Sequence, residues 1–233
     1  MVPTDELTMR PADESDADTV ASIHLAARRA AAMPPGIHPD DEVRRWLNGR
    51  LETDEVWMAE VGGAAAGYAR MTPVWLDDLY VAPSYARRGV GSALLDLVKA
   101  RRPDGFCLWV FETNGPARAF YRHHGLVELE RTDGAANEER EPDVRMAWPG
   151  HDPLAFYRGL IDDLDAQLGD LLHRRAALTR AVQEHKGTTE RDPAREREIA
   201  RALAARAPLL GEERAARIVQ AIITESLAAV TEG

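Results

Sequence analysis

Leu76-Asp77-Asp78-Leu79-Tyr80-Val81-Ala82-Pro83 is followed almost at once by Tyr85-Ala86-Arg87-Arg88-Gly89-Val90-Gly91-Ser92-Ala93-Leu94-Leu95, and the join between the two decides the fold. The first run reads with Trp75 as a strand over 75–81, stopped by Pro83. The second changes from loop to an amphipathic helix that reaches Arg101, with Pro103-Asp104-Gly105 as its terminator. A glycine turn opening a helix aims several backbone N–H groups at one point. The helix dipole adds positive potential there, so the place suits a phosphate or pyrophosphate. Arg87 and Arg88 reinforce that charge. Gly-x-Gly alone fits an ordinary tight turn equally well. It is not a Walker loop, because no Gly-Lys-Ser/Thr follows, and the third Gly of a dinucleotide fingerprint is missing.

Working outward, Ser15 or Asp16 can cap a helix running to Arg28 and ended by Met33-Pro34-Pro35-Gly36, and a second helix spans Pro39 to Leu51. Val56 to Val61, a Gly62-Gly63 turn and Ala65 to Met71 read as a hairpin. Beyond the central helix, Phe106 to Phe111 is strand, Asn114 to His124 a short helix, and Leu126 to Glu130 and Val144 to Trp148 are strands around the acidic loop 132–143. The order is mixed α/β.

Composition bounds the function. The 233 residues hold 39 acidic and 29 basic side chains, a net charge of −10, with 45% hydrophobic and 29% charged residues. That excludes a disordered polyampholyte and a nucleic-acid binder held by bulk charge. No apolar run is long enough to span a bilayer, and residues 1–9 lack the apolar core of a secretory signal, so a cytoplasmic protein without membrane contact is expected. The single cysteine, Cys107, excludes an intrachain disulfide and a Cys-rich zinc site, and no metal is expected.

Residues 154–233 hold no Trp and only two Pro, which favours an all-helical second half. Leu154, Tyr157, Ile161, Leu164, Leu168, Leu171, Leu178 and Val182 follow a 3,4 alternation interrupted at Arg175. A helix of roughly 50 Å follows, whereas a domain of about eighty residues is only roughly 25 Å across. Such a helix requires a partner chain, and an intertwined all-α homodimer satisfies it. Helices over Pro193–Ala207 and Gly211–Thr231 supply the remaining apolar faces, including a stripe of Val219, Ile222, Ile223 and Val230 that also contains Ser226. Asp192 reads as an N-cap with Pro193 at the first helical position. Arg175 and Lys186 lie close to three turns apart and point nearly the same way, fit to bracket a small anion. Alternatively Arg175 pairs with a buried carboxylate or snorkels, and Lys186 is simply exposed. Only Lys99 and Lys186 are lysine among the basic residues, so each marks a place where a strong arginine bias is resisted.

Two ordered motif sets carry resemblances. The run 76–83, the arginine-rich glycine turn and Asn114-Gly115-Pro116-Ala117-Arg118-Ala119-Phe120-Tyr121-Arg122-His123-His124-Gly125-Leu126 closely resemble the GNAT family of N-acetyltransferases over about residues 7–148. The resemblance implies acetyl-CoA as cosubstrate, with pantetheine on the backbone around Val81 and the pyrophosphate at Arg87, Arg88, Gly89, Val90, Gly91 and Ser92. Asn114 would hydrogen-bond the cofactor, and Tyr121 would protonate the departing thiolate. Ala86 stands where the family usually has Gln or Arg, which implies weaker but retained CoA binding. Asp77, Asp78 and Glu112 are candidate general bases, with surface carboxylate as the alternative for each. Acceptor pockets in this architecture use the first two helices and the late hairpin loop, where Glu138, Glu139 and Glu141 would attract a cation or be solvated.

Arg158, the repeated leucines, Arg174-Arg175, Lys186, Arg191-Asp192-x-x-Arg195-Glu196 and Ile222-Ile223-Thr224-Glu225-Ser226 resemble the all-helical chorismate mutases over about residues 153–230. The resemblance implies that Arg158 of the partner chain, Arg175, Lys186 and Arg195 hold a dicarboxylate, with Lys186 donating toward the ether oxygen. Asp192, Glu196 and Ser226 would contact its hydroxyl and carboxylate region. Many relatives carry a second donor, Gln or Glu, where Val230 stands, and losing one such donor costs about 3 kcal/mol of transition-state stabilisation. Low intrinsic activity or an activating partner protein is therefore expected. The turn between Lys186 and Arg191 is also short.

The expectation is a two-domain, bifunctional homodimer acting on small molecules: a GNAT α/β domain over 1–149 and an all-α chorismate mutase domain over 150–233. Two alternatives remain open. The helical half serves as a dimerisation or chorismate-sensing module for the acetyltransferase, or it acts on isochorismate or an amino-substituted chorismate.

Overall fold

The order of elements is β1 (Leu7–Pro11), α1 (Ala17–Ala30), α2 (Asp40–Thr53), β2 (Glu55–Val61), β3 (Ala64–Met71), β4 (Leu76–Val81), α3 (Val90–Arg101), β5 (Phe106–Phe111), α4 (Gly115–His123), β6 (Val127–Arg131), β7 (Asp143–Trp148), α5 (Pro153–Lys186), α6 (Pro193–Arg206) and α7 (Gly211–Thr231). The structure is a computed structural model that describes residues 6–186 and 191–231, with side chains up to residue 229. The turn 187–190 and the Val230 side chain, both of which enter the expectations above, lie outside the described residues. Backbone contacts divide the chain into two units, Met1–Tyr157 and Arg158–Gly233.

In the first unit, β1-β2-β3-β4 form one antiparallel sheet and β5-β7-β6 a second. Gly62 and Gly63, both at positive φ, make the tight β2–β3 turn. An isolated parallel bridge pairs Trp75 with Cys107, whose N–H donates to the Val74 carbonyl at 2.9 Å. Beyond that bridge, no ladder joins β4 to β5 among the described residues. The two strands are therefore bridged only near their N-terminal ends.

Strand alternation gives β4 two roles. Leu79 and Val81 pack against the core built by Leu94, Leu95 and Val98 of α3 with Phe106 and Met146, whereas Tyr80 joins Val20 and Ile23 of α1, Leu47 of α2 and Tyr68. Helices thus cover both faces of the sheet.

Strand β1 has no counterpart in the sequence reading. Its short Leu-Thr-Met-Arg-Pro run carries little pattern of its own and is set by pairing with β2, from Leu7↔Val61 to Pro11↔Trp57. Asp16 stands at the N-cap position of α1, as one of the two expected residues, but makes no side-chain cap bond there. Asp13, not Ser15 or Asp16, caps a one-turn 3-10 helix over Glu14–Asp16. Asp16 instead accepts from Asp13 N at 2.9 Å and from Arg10 of β1 at 2.7 Å, and so is drawn away from capping α1.

In the second unit α6 packs on α7 through small residues, with Ala200, Ala204, Ala215, Val219 and Ser226 buried. Helix α5 has no buried residue. Apart from the half-buried Tyr157, its heptad side chains are exposed within the chain, from 47% at Val182 to 68% at Leu178.

Candidate active sites

The N-terminus of α3 adjoins the C-terminal end of β4 and α4: a Cβ on Gly91 would meet Val81 at 3.6 Å and Phe120 at 3.7 Å. Arg87 (φ 63°) and Gly89 (φ 84°) both adopt the left-handed conformation, and no side chain caps the helix, so its first-turn N–H groups remain for another acceptor. Val90 packs in the core, so only its backbone serves this turn. The Arg88 guanidinium lies over the Tyr85 ring. Ser92 Oγ is 3.0 Å from His124 Nε2, and Asn114 Oδ1 accepts from Ala117 N at 3.2 Å as the N-cap of α4. Two side chains read as cofactor contacts therefore also anchor the α4 region.

Tyr121 on α4 is partly buried beside Phe120. Burial pushes its phenol well above the ordinary tyrosine range, with Tyr80 and Asp78 adding to the shift. The phenol is therefore protonated at neutral pH and can act as a donor.

Across β4 from α3 lies a polar cluster whose make-up sequence reasoning only partly anticipated. Asp78 is buried and accepts from Arg70 Nε at 2.5 Å, while Arg70 Nη1 donates to Asp54 at 2.6 Å. Trp46 lies 4.8 Å from that guanidinium. His24 of α1, also buried, places Nδ1 2.8 Å from Tyr68 Oη and 4.0 Å from Asp78, and its ring 4.6 Å from Tyr80. Burial pushes His24 below the usual histidine range, against the pull of Asp78, and pushes the Tyr68 and Tyr80 phenols up. Burial also raises the Asp77 carboxyl, despite Arg70 nearby. Glu112, in contrast, is held by Arg131 at 2.8 Å. His24 and Tyr68 were missed because they are 44 residues apart. Histidine on an otherwise apolar helix face was the one signal in the sequence.

The late hairpin loop is tied down rather than freely solvated. Glu139 accepts from Arg28 of α1 at 2.7 Å, and Glu138 meets His38 at 2.8 Å. Its carboxylates are partly neutralised, and the loop is drawn onto the α1 side of the site.

In the helical unit a cavity of about 310 Å³ is lined by α5, α6 and α7. Arg175, Arg191 and Arg195 reach it, together with Asp192 and Glu196. Among the described residues Arg175 pairs with neither Asp nor Glu: its Nη1 donates to Ser226 Oγ at 2.7 Å and approaches the Ile222 carbonyl at 3.4 Å. Asp192 caps α6, accepting from Ala194 N and Arg195 N, and those bonds hold its carboxyl below the ordinary range. Glu196 is gripped by two bonds from Arg191, of 2.6 and 2.8 Å, which likewise lower its carboxyl. Arg195 reaches Glu198 at 3.0 Å. Lys186 is exposed at the end of α5, close enough to lower the Asp192 carboxyl, but is not among the lining residues. Arg158 is exposed and lies seventeen residues before Arg175, about 26 Å along the helix, so it cannot reach this cavity within its own chain.

Comparison with known proteins matches residues 52–128 to the family model of the acetyltransferase (GNAT) domain and residues 157–230 to that of chorismate mutase type II. The chain carries a GNAT acetyltransferase domain followed by a chorismate mutase type II domain. The acetyltransferase domain is 35% identical over 102 residues to peptidyl-lysine N-acetyltransferase YiaC of Escherichia coli K12, an alignment covering 42% of this chain and 66% of that protein. The chain thus spans less than two thirds of the curated relatives it matches, 66% and 42% of their lengths. Among solved structures, the apo form of YjaB from Escherichia coli superposes with a TM-score of 0.53 at 18% identity, covering 62% of this chain and 99% of that one. A GCN5-related N-acetyltransferase from Rhodopseudomonas palustris gives 0.53 at 22% identity, covering 64% and 99%. These matches show the α/β fold of the first unit. Among the arginines that line the cavity of the mutase domain, Arg191 is the one to which the sequence reading gave no role of its own. Among the described residues no helix is long and apolar enough to cross a membrane, and no cluster of His, Cys, Asp and Glu could hold a metal ion.

Proposed function

We propose that the chain is bifunctional, transferring an acetyl group from acetyl-CoA to an amine in its first domain and rearranging chorismate to prephenate in its second. The observation that carries this reading is that each domain presents its own polar recess: an uncapped helix N-terminus beside the C-terminal end of β4, and a three-arginine cavity.

For acetyl transfer, the fit to CoA rests on the unladdered β5-side edge of β4 around Val81 and on the α3 turn. An extended amide-bearing arm can pair with the first, and a pyrophosphate can lie on the second. The acceptor amine attacks the thioester carbonyl: a C–N bond forms, the C–S bond breaks, and Tyr121 gives its proton to the leaving thiolate. The amine proton passes to the carboxylate cluster on β4. Asp77, whose carboxyl burial raises, is a stronger base than a carboxylate gripped by arginine. The name of YiaC makes a lysine side chain the first acceptor to try.

For the mutase, the ether C–O bond breaks as a C–C bond forms within one molecule, so no nucleophile, metal or redox group is required. The protein contributes by holding the reactive conformer and by stabilising negative charge on the ether oxygen. Arg175 and Arg195 grip the carboxylates, and Lys186 serves the ether oxygen. Ser226 fixes the Arg175 fork, while Asp192 and Glu196 set the hydroxyl side. The exposed α5 heptads support a homodimer through the C-terminal helices, in which the partner's α5 delivers Arg158.

The test is chorismate consumption by the purified protein, followed by ultraviolet absorbance with products identified by mass spectrometry, alongside thiol release from acetyl-CoA with a lysine peptide. Prephenate that disappears in Arg175→Ala supports the mutase. A folded dimer that binds chorismate without turning it over moves the helical domain to a sensing role, and a different product moves it to a different substrate.

A further inference from the structure

The mutase cavity contains a buried polar group that nothing above uses. Gln183 lines it from α5, on the face shared with Leu178, Thr179 and Val182 and one turn beyond Thr179. Its Oε1 is buried and has no hydrogen-bond partner among the described residues. The other polar side chains at the cavity each make at least one hydrogen bond. Thr179 Oγ1 donates to the Arg175 carbonyl at 3.0 Å, Arg175 holds Ser226, Arg191 holds Glu196, Arg195 meets Glu198 and Asp192 caps α6. A buried amide oxygen left unpaired is destabilising, and native proteins rarely keep one without a partner from elsewhere. Leucine or methionine in its place would continue the apolar face at no such cost.

The geometry points to Gln183 as a substrate-contacting residue whose Oε1 accepts a hydrogen bond from the ring hydroxyl of the bound dicarboxylate. The inference rests on the mutase reading proposed above. Charge supports the assignment. The arginines of the cavity serve a ligand's carboxylates, but a ligand hydroxyl needs acceptors: both Glu196 oxygens are held by Arg191 and Asp192 Oδ1 by the α6 N-terminus, so Gln183 Oε1 adds beside them an acceptor that is not already held. A neutral amide oxygen accepts from the hydroxyl without repelling the dianion.

The test compares wild type with Gln183→Met, close to isosteric and helix-compatible, and with Gln183→Ala as a second variant should the first perturb folding by circular dichroism. Two probes are titrated calorimetrically: a bicyclic ether dicarboxylate that mimics the rearrangement geometry and carries the ring hydroxyl, and its deoxy analogue. Wild type should prefer the hydroxylated probe by about tenfold, and the variants should lose that preference. Their kcat/KM for chorismate should fall by about tenfold, about 1.4 kcal/mol. An unchanged preference and unchanged kcat/KM overturn the role of Gln183 while leaving the mutase reading intact. Absence of both turnover and probe binding in wild type overturns the mutase reading itself, and this inference with it.

Discussion

Arg175 Nη1 donates to Ser226 Oγ at 2.7 Å, linking the interrupted heptad of α5 to the one buried hydroxyl of the α7 stripe. Ser226 also donates back to the Ile222 carbonyl at 2.6 Å, so its oxygen sits between a helix carbonyl and a guanidinium. A polar residue in each of two apolar faces is thus explained by the other. The fork is fixed at one edge, on a residue that lines the cavity.

Arg175→Ala removes a positioned cation while Ser226 keeps its bond within α7. The expected outcome is a loss of chorismate turnover of about 10²- to 10³-fold, with sedimentation equilibrium unchanged. A shift in assembly with turnover retained contradicts the assignment.

Tyr121→Phe keeps the ring packed against Phe120 and removes only the phenol hydroxyl that is proposed to protonate the thiolate. Acetyl transfer to a lysine peptide should fall by about 10²-fold or more, while CoA affinity by calorimetry is unchanged. Equal turnover in the variant assigns the proton to another group.

Arg70→Met strands Asp54 and Asp78, both held by one guanidinium in a site where Arg70 is 7% exposed. Denaturant unfolding should register a loss of about 3–5 kcal/mol, as expected when one partner of a buried ion pair is removed.

His24 gives the acetyltransferase domain a pH dependence of definite sign. Burial depresses its folded pKa below the ordinary value of 6.5, so the unfolded chain binds the proton more readily. Its contribution is fully present above pH 6.5 and is lost as pH falls through that value toward the lower folded pKa. Melting temperature followed downward from neutral pH should drop more steeply in wild type than in His24→Gln, and parallel curves would remove the argument.

Leu168→Asp places a charge on an α5 heptad position that is 49% exposed within the chain. The variant should sediment as a monomer and lose mutase turnover, because Arg158 then has no partner cavity. A monomeric wild type would make the exposed heptads something other than a dimer seam.

Local patterns determined a good deal. The Gly89 turn, the Gly62-Gly63 hairpin, the Asp192 cap with Pro193 behind it and the α5 heptad depend on neighbours within a few residues, and the observed elements follow them. Gly89 is read from sequence because only a left-handed residue can open that helix where it does.

What local pattern could not determine was partnership across the chain. β1 exists because β2 offers an edge. Asp78 departs from the surface carboxylate it resembles because Arg70 enters from the next strand, and His24 is polar among apolar neighbours because Tyr68 waits 44 residues away. Gln183 reads as an ordinary helix-surface residue until α6 and α7 close a cavity over it. Sequence specifies which groups are present and how each short segment folds. The free energy of a buried polar group depends on what stands within about 3 Å of it, and only the tertiary structure decides that.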